Sequence, residues 1–126
     1  MNSNPQKQIL IVEDSPDLQA LLGQLLFDEG YAVKSSMNGQ EAFDYLRARK
    51  DPQPDLILLD IMMPVMDGLV FRDVISQYQE FANIPVIFIT ADSHSEAKVQ
   101  TDKKTAYLKK PIDLEQLLKK VKEFCS

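Results

Sequence analysis

The chain has 126 residues, a length that bounds it to one domain. Hydrophobic residues make up 44% and charged ones 26%, ordinary proportions for a globular protein, and the one cysteine, Cys125, excludes an internal disulfide. A net charge of −5 lacks the basic footprint of a nucleic-acid binder, and no apolar run reaches the roughly 20 residues needed to cross a bilayer.

Residues 1–7 have no hydrophobic core of a leader peptide and are expected to form a short polar tail, with one domain over 8–126. The first apolar run is Ile9-Leu10-Ile11-Val12. It does not alternate with polar residues, which suits a strand covered on both faces. Leu18, Leu21, Leu22, Leu25 and Leu26 follow at the spacing of one buried helical stripe. Ser15 is placed to cap that helix, Pro16 to open it and Gly30 to end it. Tyr31–Lys34 reads as a weaker strand. A second helix carries Ala42 and Leu46, with Asn38 as its cap and Glu41 three residues on.

The run Leu56-Ile57-Leu58-Leu59 predicts a third strand ending in Asp60. A third helix begins near Asp67-Gly68 and carries Val70, Phe71, Val74 and Ile75. Gly68 itself reads as a turn residue. A fourth strand is predicted over Ile84–Ile89 and a fifth over Ala106–Lys109. The segment 93–105 between them makes a poor fourth helix, since its only apolar residues before Thr105 are Ala97 and Val99. The last helix is clear: Leu114, Leu117, Leu118 and Val121 follow the cap candidate Asp113. Alternating strand and helix means an α/β fold, a parallel sheet with helices on both faces. In such open sheets function gathers at the carboxyl ends of the strands.

Those ends hold Glu13 and Asp14 after the first strand, Asp60 at the third, Thr90 at the fourth and Lys110 after the fifth. Brought together, carboxylates repel: two unit charges ~4 Å apart interact by about 4 kcal/mol at an effective dielectric near 20. Protonation or a cation must relieve this. Hard oxygen ligands suit Mg²⁺, which prefers to share a phosphate. Lys110 adds a second positive charge and Thr90 a hydroxyl. Such a pocket fits phosphoryl transfer, with an ionised Asp as nucleophile.

The segments Glu13-Asp14, Asp60-Ile61-Met62-Met63-Pro64-Val65-Met66-Asp67-Gly68, Thr90-Ala91 and Tyr107-Leu108-Lys109-Lys110-Pro111 together resemble the receiver domains of two-component response regulators, of the chemotaxis-regulator type. The resemblance runs from about Gln8 to Phe124. It implies a doubly wound, flavodoxin-like parallel sheet of five strands in the order 2-1-3-4-5. It implies that Asp60 accepts a phosphoryl group from the phosphohistidine of a sensor histidine kinase or a phosphotransfer protein. It also implies that Glu13, Asp14, Asp60 and the backbone carbonyl of Met62 hold Mg²⁺ or Mn²⁺. Lys110 would contact the phosphoryl oxygens, Thr90 would shift to bond them, and Tyr107 would change rotamer. The Lys110-Pro111 bond is cis in that family. The implied protein is a cytoplasmic phosphoacceptor switch with self-phosphorylation and self-dephosphorylation, and no direct nucleic-acid or membrane partner. Its switching surface surrounds the fourth helix and fifth strand.

Three other readings compete with this one. A Mg²⁺-dependent aspartyl phosphatase of the haloacid-dehalogenase type wants a second Asp two positions after its nucleophile, where Met62 stands. A flavodoxin-like cofactor binder wants a Ser/Thr/Gly loop after the first strand, where Glu13-Asp14-Ser15-Pro16-Asp17 would repel phosphate. A phosphorylation-independent pseudo-receiver would lack some of the five functional positions, all of which are present. His94 reads as an exposed loop residue, and Met62, Met63 and Met66 as loop packing rather than metal ligands. The sequence departs from the family at 90–107, which is short and lacks the usual Gly-Ala before the aromatic. A short or easily opened fourth helix is the expectation there.

Overall fold

The computed structural model describes residues 6–48, 53–63, 65–91 and 101–125. In chain order these form β1 (Gln8–Val12), α1 (Pro16–Asp28), β2 (Ala32–Ser36), α2 (Gly39–Ala48), β3 (Leu56–Asp60), α3 (Gly68–Ser76), β4 (Val86–Thr90), β5 (Thr105–Lys109) and α4 (Leu114–Cys125). The strands make one five-stranded sheet, parallel throughout, in the order β2-β1-β3-β4-β5. The expected α/β architecture and strand order are both present.

The unbroken apolar runs have a direct cause. Side chains alternate across a strand, so β1 sends Ile9 and Ile11 to one face and Leu10 and Val12 to the other. Ile9 and Ile11 join Leu56, Leu58, Ile87 and Ile89 beneath Leu22 and Leu26 of α1 and Leu117 and Val121 of α4. Leu10 and Val12 join Ile57, Leu59, Val86 and Phe88 beneath Ala42 and Leu46 of α2 and Phe71 and Ile75 of α3. Each of the central strands β1 and β3 therefore feeds two cores.

Local chemistry explains most element ends. Ser15 caps α1 by accepting the Leu18 N–H, and Gly30, at φ 98°, follows its last turn in the left-handed region. Asn38 Oδ1 accepts the Glu41 N–H at 2.9 Å, while Glu41 Oε1 accepts the Met37 N–H at 3.1 Å, a nearly reciprocal cap for α2. Asp67 caps α3 and Asp113 caps α4 in the same way.

Several expectations need correction. The stripe on α1 is narrower than predicted: Leu22 and Leu26 are fully buried, but Leu21 is exposed, because it lies ~100° round the helix from Leu22. Val70 of α3 and Leu114 of α4 are likewise exposed. β2 starts one residue later than expected and runs on to Ser36; it is an edge strand, and its polar Lys34 and Ser35 are both exposed. β4 begins after Pro85, whose ring nitrogen has no hydrogen for the ladder, although its carbonyl still accepts from the Ile57 N–H at 3.0 Å. Of the weak fourth helix, residues 93–100, with His94, lie outside the described residues, as do residues 1–5 of the expected tail. Its predicted end is not helical. The Asp102 carboxylate accepts the Lys104 N–H at 2.7 Å and Asp102 bridges to Thr105, closing a tight turn that leads into β5.

Candidate functional site

Parallel strands deliver their last residues to one edge. β1 and β3 are neighbours, and the strand order reverses between them, so the residues just past their ends line a crevice. Glu13 and Asp14 follow β1, Asp60 ends β3, Thr90 ends β4 and Lys110 follows β5. Carboxylate oxygens of Glu13, Asp14 and Asp60 lie within 4.8 Å of one another. Glu13 and Asp60 are each only 1% exposed, and Asp14 is half-buried.

The two buried carboxylates are held on both sides. Lys110 Nζ sits 3.2 Å from Glu13 Oε1 and 3.2 Å from Asp60 Oδ2. The Ser15 N–H donates to Glu13 Oε2 at 3.0 Å, and the Met62 N–H donates to Asp60 Oδ1 at 3.0 Å. The Lys110 backbone is anchored by its own N–H on the Thr90 carbonyl at 2.8 Å, and the Lys110-Pro111 bond is cis, as the resemblance implied. Met62 thus enters the site through its backbone, while its side chain is exposed.

Charge in this pocket is unbalanced. Among the described residues, three carboxylates face one ammonium. Burial pushes the Glu13 carboxyl up from 4.5 to about 7; the Ser15 N–H works against this and the neighbouring Asp60 adds to it. Burial also raises Asp60, with Lys110 opposing. For Lys110, burial disfavours the charge, but Asp60 and Glu13 outweigh it and hold the ammonium above its ordinary pKa. A set of three converging carboxylates, two of them buried, fits a hard divalent cation rather than a soft thiophilic one.

Thr90 is fully buried at the end of β4. Tyr107 lies on β5 opposite Phe88 and is half-buried against the core that α2 and α3 cover. The structure therefore gathers Glu13, Asp14, Asp60 and Lys110 into one contact set, with Thr90 beside Lys110 through the backbone. The sequence reading gave one residue the wrong role and passed over another. Gly68 is not a turn residue but the first residue of α3, pressed on the Asp60 backbone: a Cβ there would lie 2.8 Å from Ile61 Cα and 3.0 Å from the Asp60 carbonyl carbon. Gln19 sits three residues before Leu22 and seven before Leu26. It continues the buried row of α1 as a polar residue, which was the available signal.

A family model described as a response regulator receiver domain matches residues 9–122. The polar-differentiation response regulator DivK of Brucella anthropi is 32% identical over 120 residues, covering 94% of this chain and 95% of DivK. The probable transcriptional regulator ycf29 of Porphyra purpurea is 33% identical over 116 residues, covering 90% of this chain but only 54% of that protein, so the chain spans about half the length of that relative. The response regulator TrrA of Thermotoga maritima, crystallised in complex with Mg²⁺ and BeF, is similar at a TM-score of 0.81 and 31% identity, over 94% of this chain and 99% of that one. The chain belongs to the response regulator receiver domain family.

Proposed function

We propose that this chain is a phosphorelay switch of a two-component system, in which Asp60 accepts a phosphoryl group from the phosphohistidine of a sensor kinase or phosphotransfer protein. The observation that carries the reading is the state of Asp60: 1% exposed, one oxygen on Lys110 and the other on the Met62 N–H, with Glu13 and Asp14 oxygens within 4.8 Å. Glu13, Asp14 and Asp60, with the Met62 carbonyl, are the residues that would hold Mg²⁺ or Mn²⁺. Bound there, the cation supplies positive charge against the transferring phosphoryl oxygens.

The chain's own groups do the rest. An oxygen of Asp60 forms the O–P bond as the P–N bond to the donor imidazole breaks; the imidazole nitrogen keeps that electron pair and takes a proton from solvent. The Met62 N–H orients Asp60, and Lys110, poised 3.2 Å from its other oxygen, follows the negative charge onto the phosphoryl group. Thr90 then bonds the phosphoryl group and Tyr107 changes rotamer, passing the change to the surface around β5 and the segment before it. Attack of water on phosphorus breaks the O–P bond, returns Asp60 as a carboxylate, releases inorganic phosphate and so resets the switch. The partner kinase places the chain in the cytoplasm on this reading. Among the described residues no helix is long and apolar enough to cross a membrane.

The test is intact mass spectrometry after incubation with acetyl phosphate and MgCl₂, beside Asp60→Asn. The parent alone should gain one phosphoryl mass, and EDTA should abolish the gain. A parent that neither gains mass nor binds Mg²⁺ overturns the proposal in favour of an interaction module that works without phosphorylation.

A further inference from the structure

The carboxylates of Glu13 and Asp14 sit just where β1 and β2 part company. The last paired residues are Val12 and Ser36, and the Glu13 N–H makes the final rung to the Ser36 carbonyl at 3.1 Å. In a parallel ladder the carbonyl of the same residue points to the same neighbour, but beyond Ser36 the chain turns away into α2. The Glu13 carbonyl therefore needs a donor that the sheet does not supply.

Gln19 supplies it. Its Nε2 donates to the Glu13 carbonyl at 3.3 Å and to the Ser36 carbonyl at 3.1 Å, with Met37 Sδ 3.5 Å away. All three groups are acceptors, so the amide must present its nitrogen to them. Its backbone is fixed in the first turn of α1, its N–H on the Ser15 carbonyl at 2.9 Å. The Glu13-Asp14 peptide is thus gripped on its carbonyl by Gln19, while the Glu13 carboxylate is gripped by the Ser15 N–H.

We infer that Gln19 is a positioning residue for the metal site: it bridges the ends of β1 and β2 and sets the Glu13-Asp14 peptide so that both carboxylates converge on Asp60. This deepens the proposed function and rests on it for the metal. Gln19 touches neither metal nor phosphoryl group; it acts through the backbone of two ligand residues. Groups that orient ligands from behind typically contribute 10–100-fold in metal affinity. Gln19 holds a ligand's backbone rather than a ligand atom, which puts the effect at the lower end, about tenfold.

The experiment compares the parent chain with Gln19→Met, which keeps the length of the side chain and removes its donors. Mg²⁺ affinity is measured by calorimetric titration, and amide hydrogen exchange at Asp14 and Ser15 is measured in EDTA. The expected result is a midpoint of thermal unfolding close to that of the parent, Mg²⁺ binding about tenfold weaker, and faster exchange at both amides without metal. Affinity within twofold of the parent, with unchanged exchange, overturns the role of Gln19. The exchange arm needs no metal, so a parent that fails to bind Mg²⁺ condemns the proposed function while exchange still decides whether Gln19 holds the loop. Should Gln19→Met fail to fold, the parent decides. Its Gln19 side-chain NH₂ signals should shift on adding MgCl₂ with the same midpoint as the Asp14 amide, and NH₂ signals that ignore MgCl₂ overturn the inference.

Discussion

Replacing Gly68 with alanine sets two local effects against each other. Alanine is favoured over glycine in a helix interior by roughly 0.8–1 kcal/mol, so propensity alone predicts stabilisation. Space predicts the opposite. The added Cβ would collide with the Asp60 carbonyl oxygen and lie 2.8 Å from Ile61 Cα, and these neighbours are backbone, not the free end of a side chain. They cannot rotate aside, because Asp60 pairs with Ile89 and the Ile61 N–H bonds the Ile89 carbonyl at 2.9 Å. Overpacking of this kind costs about 1–3 kcal/mol, and the first helical position gains less from propensity than an interior one. The net expectation for Gly68→Ala is a loss of about 1–2 kcal/mol in urea denaturation. Relief of the clash also displaces Asp60, and a shift approaching 1 Å at a reacting group costs up to about 10²-fold in rate, so phosphorylation by acetyl phosphate should slow at least tenfold. Gly23, inside α1, is the matched control: a Cβ there meets only Val33 Cγ1 at 3.8 Å, an ordinary contact, so Gly23→Ala should stabilise by about 0.5–1 kcal/mol. A Gly68→Ala protein as stable as the parent and phosphorylated at the parent rate would refute the reasoning.

Without metal, stability should fall as pH rises. Glu13 is raised from 4.5 to about 7 and Asp60 moves in the same direction, so between these values the native chain holds protons that the unfolded chain has released. The stability is fully present below about 4.5 and is lost as pH rises through about 7; for Glu13 it amounts to roughly 3 kcal/mol at most. Urea curves in EDTA from pH 5 to 8 check this, Glu13→Gln should flatten the trend, and stability rising over that range would contradict it. Lys110→Met should destabilise by about 1–3 kcal/mol at pH 8, less than for a fully buried pair because Lys110 is partly solvated, and by less again at pH 5, where Glu13 takes up a proton. Equal losses at both pH values would contradict the pairing. Val65 is 82% exposed yet held at φ 70°, a conformation that costs a β-branched residue about 1–2 kcal/mol. Val65→Gly should therefore raise the unfolding midpoint by a few degrees in a thermal melt, and a lower midpoint would argue against strain there.

Much of the fold was legible because its strongest signals are local. Continuous apolar runs mark β1, β3 and β4, since a strand between two helical layers needs no polar face. Capping side chains mark helix starts, since the first N–H groups of a helix find their partners within three residues. The site residues were legible for a related reason: each sits at or one or two residues past the end of a readable strand, and a parallel sheet carries all such positions to one edge. Weak signals misled where tertiary context decides. β2 is shifted because an edge strand needs only half an apolar pattern, and Leu21 is exposed because the helical stripe is narrower than its leucines.

The order of strands and helices, their caps, and the presence of Glu13, Asp14, Asp60, Thr90 and Lys110 at strand ends were determined by the sequence alone, through contacts spanning a few residues. Only the tertiary structure decided that Lys110 reaches two carboxylates at once, that burial holds Glu13 near neutral pH, that Gly68 must lack a side chain because Asp60 is behind it, and that Gln19 completes the rung β2 leaves open. Each of these depends on the distance between segments far apart in the chain, and that distance exists only once the two cores have closed on the sheet.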